Sequence, residues 1–307
     1  MKAVLDLGTN TFHLLIADKK EGEIRFVEKQ TRAVKLGEGG INKKQITDAA
    51  FTRGIDALRE FRTVMDRYPV DEIRATATSA IRNAENGGAF IQKALDETGI
   101  RIESINGDEE AASIFAGVQL SGAMSGQTGL VMDIGGGSVE FIIGNEKEVL
   151  WKQSVETGAA RMMDLFHRED PVSPVKIRQA AEHLRDKLND VLQHISHFRP
   201  EYLVGSAGAF ESFLELISHT KNAHTDVATT RHAFFTWENL APLLDRLIAS
   251  SHDERKNMKG LIELRVDMIV MASLLTRFIL RESGIRDVRF SAYSLKEGVL
   301  YTLFSST

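Results

Sequence analysis

The chain has 307 residues, 43% of them hydrophobic and 26% charged, with a formal net charge of −5. That is enough apolar material for two ordinary domains, and the acidic balance argues against a nucleic-acid partner, which needs a surplus of Lys and Arg. No cysteine is present, which excludes disulfides, thiolate metal sites and cysteine nucleophiles. The opening apolar run is broken by Asp6, and the longest later one, residues 268–275, is far short of the ~20 residues of a membrane span. A soluble, cytoplasmic protein with no membrane partner is the expectation.

In chain order, residues 3–5 form a short apolar strand that ends at Asp6 and enters a small-residue turn, Gly8, Thr9, Asn10 and Thr11, before a second strand over 12–17 and a third over 24–27. Residues 48–67 carry Phe51, Ile55, Leu58, Phe61 and Met65 at helical spacing, and Pro69 follows. A strand over 73–78, a helix over 88–98 closed by Gly99, a strand over 100–105 and a helix from 108 to 120 complete the first half. Residues 130–134 then repeat the opening grammar. Asp133 ends a strand, Gly135, Gly136, Gly137 and Ser138 make the turn, and strands over 139–143 and 149–151 follow. The small, polar stretch 121–127 is therefore a boundary between two similar domains, residues 1–124 and 125–307, facing one another across a cleft. The second half turns helix-rich after Gly158. It carries one amphipathic helix over 175–198, a strand at 202–204 entering Gly205, Ser206, Ala207 and Gly208, one apolar helix over 261–280, a strand at 288–290 and a last helix over 295–304.

A D-x-G turn between strands presents backbone N–H groups and hydroxyls without bulk, so it can wrap phosphate oxygens. One such turn also suits a plain hairpin; two copies, the second with three consecutive glycines, favour phosphate. Between them stand Asp108, Glu109 and Glu110. They suit the first turn of a solvated helix, or supply a carboxylate that deprotonates or orients a water. Glu140, two residues beyond Ser138, is either an exposed strand position or a holder of metal or water. Arg32, Lys35, Arg82, Arg161 and Arg265 lie in or beside these segments and are candidate cations for a phosphate chain, each equally suited to an ordinary ion pair. The nine histidines show no metal-ligand spacing.

From residue 3 to 301 the chain resembles the Ppx/GppA family of exopolyphosphatases and guanosine pentaphosphate phosphatases. The stretches that carry the likeness are Asp6 to His13, residues 77–86 around Arg82, Gly107 to Ala111, Asp133 to Glu140 and Ser294 to Tyr301. The resemblance implies an α/β fold of two ribonuclease-H-like domains of the actin/Hsp70/sugar-kinase superfold, in a short two-domain form, with the last helix packing back on the first domain. It gives Glu110 the role of catalytic base. Asp133 and Glu140 are the other catalytic carboxylates and the ligands of Mg²⁺ or another divalent cation. Phosphate falls to Asp6, Gly8, Thr9, Asn10, Thr11, Arg82, Gly135, Gly136, Gly137, Ser138, Gly205, Ser206 and Gly208. The implied reaction is water attack on a terminal phosphoanhydride of polyphosphate or pppGpp. A polyphosphate or alarmone sensor, or a phosphotransferase of the same superfold, is the alternative, and a homodimer is compatible with all of these. Two departures stand out: Lys35 where the family usually has Arg, and Gly205 to Ala209 in place of G-x-G-G-T, which puts a nucleoside contact in doubt.

Overall fold

The computed structural model describes residues 1–221, 227 and 229–305. They divide into two compact units, Met1–Gly117 with Leu295–Thr307, and Val118–Ser294.

The first unit contains β1 (Lys2–Leu7), β2 (Thr11–Lys20), β3 (Glu23–Ala33), α1 (Asp48–Met65), β4 (Glu72–Ala77), the single turn α2 (Ser79–Arg82), α3 (Gly87–Thr98), β5 (Ile102–Ser104) and α4 (Gly107–Ser121) as far as Gly117. The sheet order is β3-β2-β1-β4-β5, antiparallel through β1, β2 and β3 and parallel through β1, β4 and β5. Strand alternation assigns the two faces. Ala3, Leu5 and Leu7 on β1 and Phe12, Leu14 and Ile16 on β2 join one core with Ile55, Leu58, Phe61 and Met65 of α1 and Phe90 and Ala94 of α3. The Thr47 hydroxyl accepts from Ala50 N–H at the start of α1, and Gly99 closes α3 in the left-handed region.

The alternate residues of β1 and β2 face the other way, where the C-terminal helix (Leu295–Ser305) lies. Lys2 Nζ donates to Leu303 O at 2.7 Å and pairs with Glu72 at 2.8 Å, while Lys19 Nζ donates to Phe304 O at 3.2 Å. Gly298 in that helix meets α4 backbone to backbone. A β-carbon there would fall 1.8 Å from Ser113 O and 3.0 Å from Gly117 N, which explains the glycine of the tail motif.

The second unit contains β6 (Gly129–Ile134), β7 (Val139–Gly144), β8 (Val149–Val155), α5 (Ala159–Phe166), α6 (Pro174–Lys187), α7 (Asn189–Phe198), β9 (Tyr202–Ser206), α8 (Ala207–Lys221), β10 (His232–Phe235), α9 (Trp237–Ala249), α10 (His252–Lys256), α11 (Ile269–Ser283) and β11 (Asp287–Ser291). Its sheet runs β10-β11-β9-β6-β7-β8, with β6, β7 and β8 antiparallel and β6, β9 and β11 parallel. Apart from the antiparallel edge strand β10, this is the order and sense of the first unit's sheet. The repeated D-x-G grammar is thus a repeated ribonuclease-H-like topology, and the chain has the α/β, actin-like ATPase fold. Among the described residues no helix is long and apolar enough to cross a membrane.

Two expected helices are shorter than their apolar patterns. The 175–198 helix is interrupted at Leu188, which is fully buried and serves as both the end of α6 and the start of α7, with Asp190 in the new first turn. The 261–280 helix begins only at Ile269; before it Glu263–Arg265 form a 3₁₀ turn. That tighter turn accompanies Arg265, whose guanidinium occupies the space a side chain at Gly208 would take, 1.6 Å from the β-carbon position. Apolar periodicity carries no signal for such a packing demand.

Gly298→Ala should destabilise the protein by about 1–3 kcal/mol, the cost of overpacking a closed contact. Urea unfolding reads this directly, and an unchanged midpoint would mean that the last helix and α4 are not held at backbone contact.

Candidate active site

The first loop, residues 8–10, joins β1 to β2. Its backbone oxygens are engaged by the chain itself. Thr9 O accepts from Gly37 N–H at 3.0 Å, Asn10 O accepts from Val34 at 3.0 Å and Lys35 at 2.8 Å, and Thr11 O accepts from Gly8 at 3.0 Å. In a planar trans peptide the N–H points opposite to the C=O, so the amides of Asn10 and Thr11 turn away from the segment after β3, while Phe12 already belongs to β2 and pairs with Arg32 of β3. Asn10 is 7% exposed, and its Nδ2 is buried without a hydrogen-bond partner. A buried donor with no acceptor within the protein is costly and suits a site that an anion fills.

The second loop, between β6 and β7, is braced by the N-terminus of α5. Gly135 O accepts from Ala159 N–H at 2.9 Å, Gly136 O from Ala160 at 2.9 Å and Arg161 at 3.2 Å, and Gly137 O from Gly158 at 3.2 Å. By the same planarity the amides of Gly136, Gly137 and Ser138 are turned away from α5. The approach is so close that a β-carbon on Gly158 would lie 2.5 Å from Gly136 O and from Ser138 N. Beside it the Thr157 hydroxyl is fully buried and has no partner.

Glu110, in the first turn of α4, is 6% exposed and accepts from Arg82 Nη1 at 2.7 Å; the same nitrogen donates to Ile105 O at 3.0 Å. Its neighbours do other work. The Glu109 carboxylate accepts from Asn106 N–H, and Asn106 Oδ1 accepts in return from the amides of Asp108 and Glu109, a reciprocal helix cap. The acidic run is thus divided: Asp108 and Glu109 are exposed at the helix start, as a solvated first turn requires, and Glu110 is buried against an arginine.

In the second unit Asp133 and Glu140 are direct cross-strand partners on β6 and β7, 6% and 1% exposed. Asp133 Oδ2 accepts from the Ser206 hydroxyl at 2.5 Å and from that of Ser294, and Glu140 Oε1 accepts from Ser154 at 2.7 Å. Two facing carboxylates repel unless positive charge lies nearby. One such charge is Arg265. Burial lowers the proton affinity of its guanidinium, and the carboxylates Glu211 and Asp133 oppose that shift. Arg265 Nε is buried and lacks a partner.

Of the remaining expected residues, Asp6 sits at the end of β1 directly opposite His13 on β2. Gly205 and Ser206 end β9, and Ser206 is spent on Asp133. Ala207 takes a left-handed φ of 62°, the conformation the family's glycine adopts freely and alanine adopts at a cost. Among the cations, Arg32 pairs with Glu60 at 2.6 Å, and Arg161 bonds Gly137 O at 3.1 Å and Glu156 at 2.7 Å, so it braces the loop. Thr157, Gly158 and Ser294 were missed as site residues by sequence reasoning. Only Ser294, the first residue of the tail motif, left a trace there.

Gly158→Ala should push α5 off the triglycine loop and lower any turnover on the order of 100-fold, the usual consequence of a misplacement near 1 Å. Circular dichroism should stay native; full activity would show that the α5 brace does not set the loop.

The model of the Ppx/GppA phosphatase family matches residues 15–307. A putative exopolyphosphatase of Haemophilus influenzae is 28% identical over 301 residues, covering 98% of this chain and 90% of that protein. A guanosine-5'-triphosphate,3'-diphosphate pyrophosphatase of Aeromonas hydrophila is 28% identical over 304 residues, and there the chain spans only 59% of the relative's length. The crystal structure of an exopolyphosphatase from Cytophaga hutchinsonii superposes with a TM-score of 0.96 at 38% identity, over 100% of this chain and 98% of that one. With a family match over nearly its whole length, the chain belongs to the Ppx/GppA phosphatase family.

Proposed function

We propose that the protein is a divalent-metal-dependent phosphohydrolase that releases terminal phosphate from polyphosphate or from pppGpp by water attack on a phosphoanhydride. The observation that carries this reading is the matched bracing of the two loops. In each, loop carbonyls are consumed by the chain's own N–H groups (Thr9 and Asn10 in the first; Gly135, Gly136 and Gly137 in the second), so the amides that follow them point away from the brace. Family membership and the names of the relatives, exopolyphosphatase and guanosine-5'-triphosphate,3'-diphosphate pyrophosphatase, support the substrate class.

In this mechanism the first loop (Gly8, Thr9, Asn10, Thr11) and the second (Gly135, Gly136, Gly137, Ser138) bind phosphate oxygens through amides and hydroxyls. Asn10 Nδ2 and the Thr157 hydroxyl contribute donors that nothing else satisfies. Glu110 accepts the proton of the attacking water. Its bond to Arg82 fixes the carboxylate, and Arg82 turned toward phosphate would leave that carboxylate more basic. Asp133 and Glu140 are a fitting pair for Mg²⁺: two buried oxygen ligands, oriented by serine hydroxyls, with further places for water and phosphate. Bound there, the metal would offset negative charge on the reacting phosphate.

Two outcomes test the reading with one assay, phosphate release from tripolyphosphate, long polyphosphate and pppGpp side by side. Glu110→Gln, which keeps an acceptor for Arg82, should reduce kcat by at least ~100-fold with little change in KM. Near-normal turnover would move the base elsewhere. Chelation with EDTA should abolish release and added Mg²⁺ should restore it, whereas activity that persists in EDTA would remove the metal from the mechanism.

A further inference from the structure

His13 stands on β2, two residues beyond Thr11 and directly opposite Asp6 on one side and Thr31 of β3 on the other. Alternation places Asp6, Thr11, His13 and Thr31 on one face of the sheet. His13 Nε2 lies 3.0 Å from Thr11 Oγ1, and Nδ1 lies 3.0 Å from Thr31 Oγ1, so the ring bridges two hydroxyls. Thr11 closes the first loop and is 8% exposed.

A neutral imidazole has one N–H and one bare nitrogen, which forces a direction on the whole chain of bonds. With the proton on Nε2, the ring donates to Thr11 Oγ1, Thr31 donates to Nδ1, and the Thr11 proton is released to point at a ligand. With the proton on Nδ1, the ring donates to Thr31, Thr11 donates to Nε2, and Thr11 presents only lone pairs to the loop. A phosphate oxygen is an acceptor, so it is compatible with the first arrangement and repelled by the second.

We propose that His13 is a positioning residue that sets the polarity of the Thr11 hydroxyl, holding it as a hydrogen-bond donor when phosphate occupies the first loop. This rests on the reading of that loop as a phosphate seat. The ring touches no substrate atom and acts through Thr11. Thr31 anchors the far end, so loss of the ring costs Thr11 its direction while the strands remain paired.

The test combines kinetics and spectroscopy on the full chain. His13→Leu should raise KM for tripolyphosphate about tenfold, the value of one hydrogen bond to a charged group, with kcat little changed. His13→Gln, whose amide nitrogen can donate near the place of Nε2, should recover most of that loss. Thr11→Val should raise KM alike, and adding His13→Leu to it should cost nothing more, because the two act as one unit. Long-range ¹H–¹⁵N spectra, with the His13 ring assigned by its loss in His13→Gln, should move toward the Nε2-protonated form on adding imidodiphosphate. Effects of His13→Leu and Thr11→Val that multiply, an unaltered KM in His13→Leu, or a ring that keeps its proton on Nδ1 with the analogue bound would each overturn the proposal. If the wild-type protein neither cleaves tripolyphosphate nor binds imidodiphosphate, or if Thr11→Val leaves KM untouched, the phosphate-seat reading itself fails and takes this inference with it.

Discussion

A trans peptide is planar, and its C=O and N–H point in opposite directions; the arrangement of both loops depends on this constraint. Aiming loop amides outward requires the preceding carbonyls to be held inward, two in the first loop and three in the second, and each unit supplies its own brace. In the first it is the irregular segment after β3, where Lys35 adopts a left-handed φ of 48° to donate to Asn10 O. In the second it is the N-terminus of α5, whose first amides need acceptors in any case. The braces are unlike in structure and occupy equivalent places, each following the third strand of its sheet. Lys35 is thus held by its backbone, and the exchange of Arg for Lys alters a side chain whose main chain already has a task.

The carboxylates obey a related economy. Glu110, Asp133 and Glu140 are all buried, and each keeps a donor that orients it: a guanidinium for the first and serine hydroxyls for the other two. Asp108 and Glu109 remain in water at the same helix start. Burial by itself would favour the neutral acid, and the donors favour the anion.

Much of the fold was legible because it was written twice. Asp6 and Asp133 end matching strands, and the antiparallel triplets that follow them share register with their loops. The acidic run showed where Glu110 stands, while its division into a cap and a buried partner depended on Asn106 and Arg82, residues with no helical periodicity to betray them. The braces were illegible for a different reason. Gly158 matters because another backbone passes within contact distance, and the distance between segments separated in the chain is not a property of either segment. Arg265 and the helix it shortens belong to the same class, as does Leu188, whose inward turn splits a pattern that periodicity reads as continuous.

The bond from Lys2 to Leu303 joins residues 301 positions apart, and between them lies the whole second unit. The first unit is therefore assembled from two stretches, the sheet from one and the helix packed on it from the other, separated in the chain by the whole second unit. Contacts of such separation cost loop-closure entropy before they return any stabilisation, and they slow folding. The second unit, continuous in the chain, can complete itself on local information, while the first waits for a helix that arrives from far along the sequence. A single backbone nick anywhere in the second unit would turn the covalent tether of that helix into a bimolecular encounter. Resistance to proteolysis in the second unit thus bears on the helix packed against the sheet that carries Asp6.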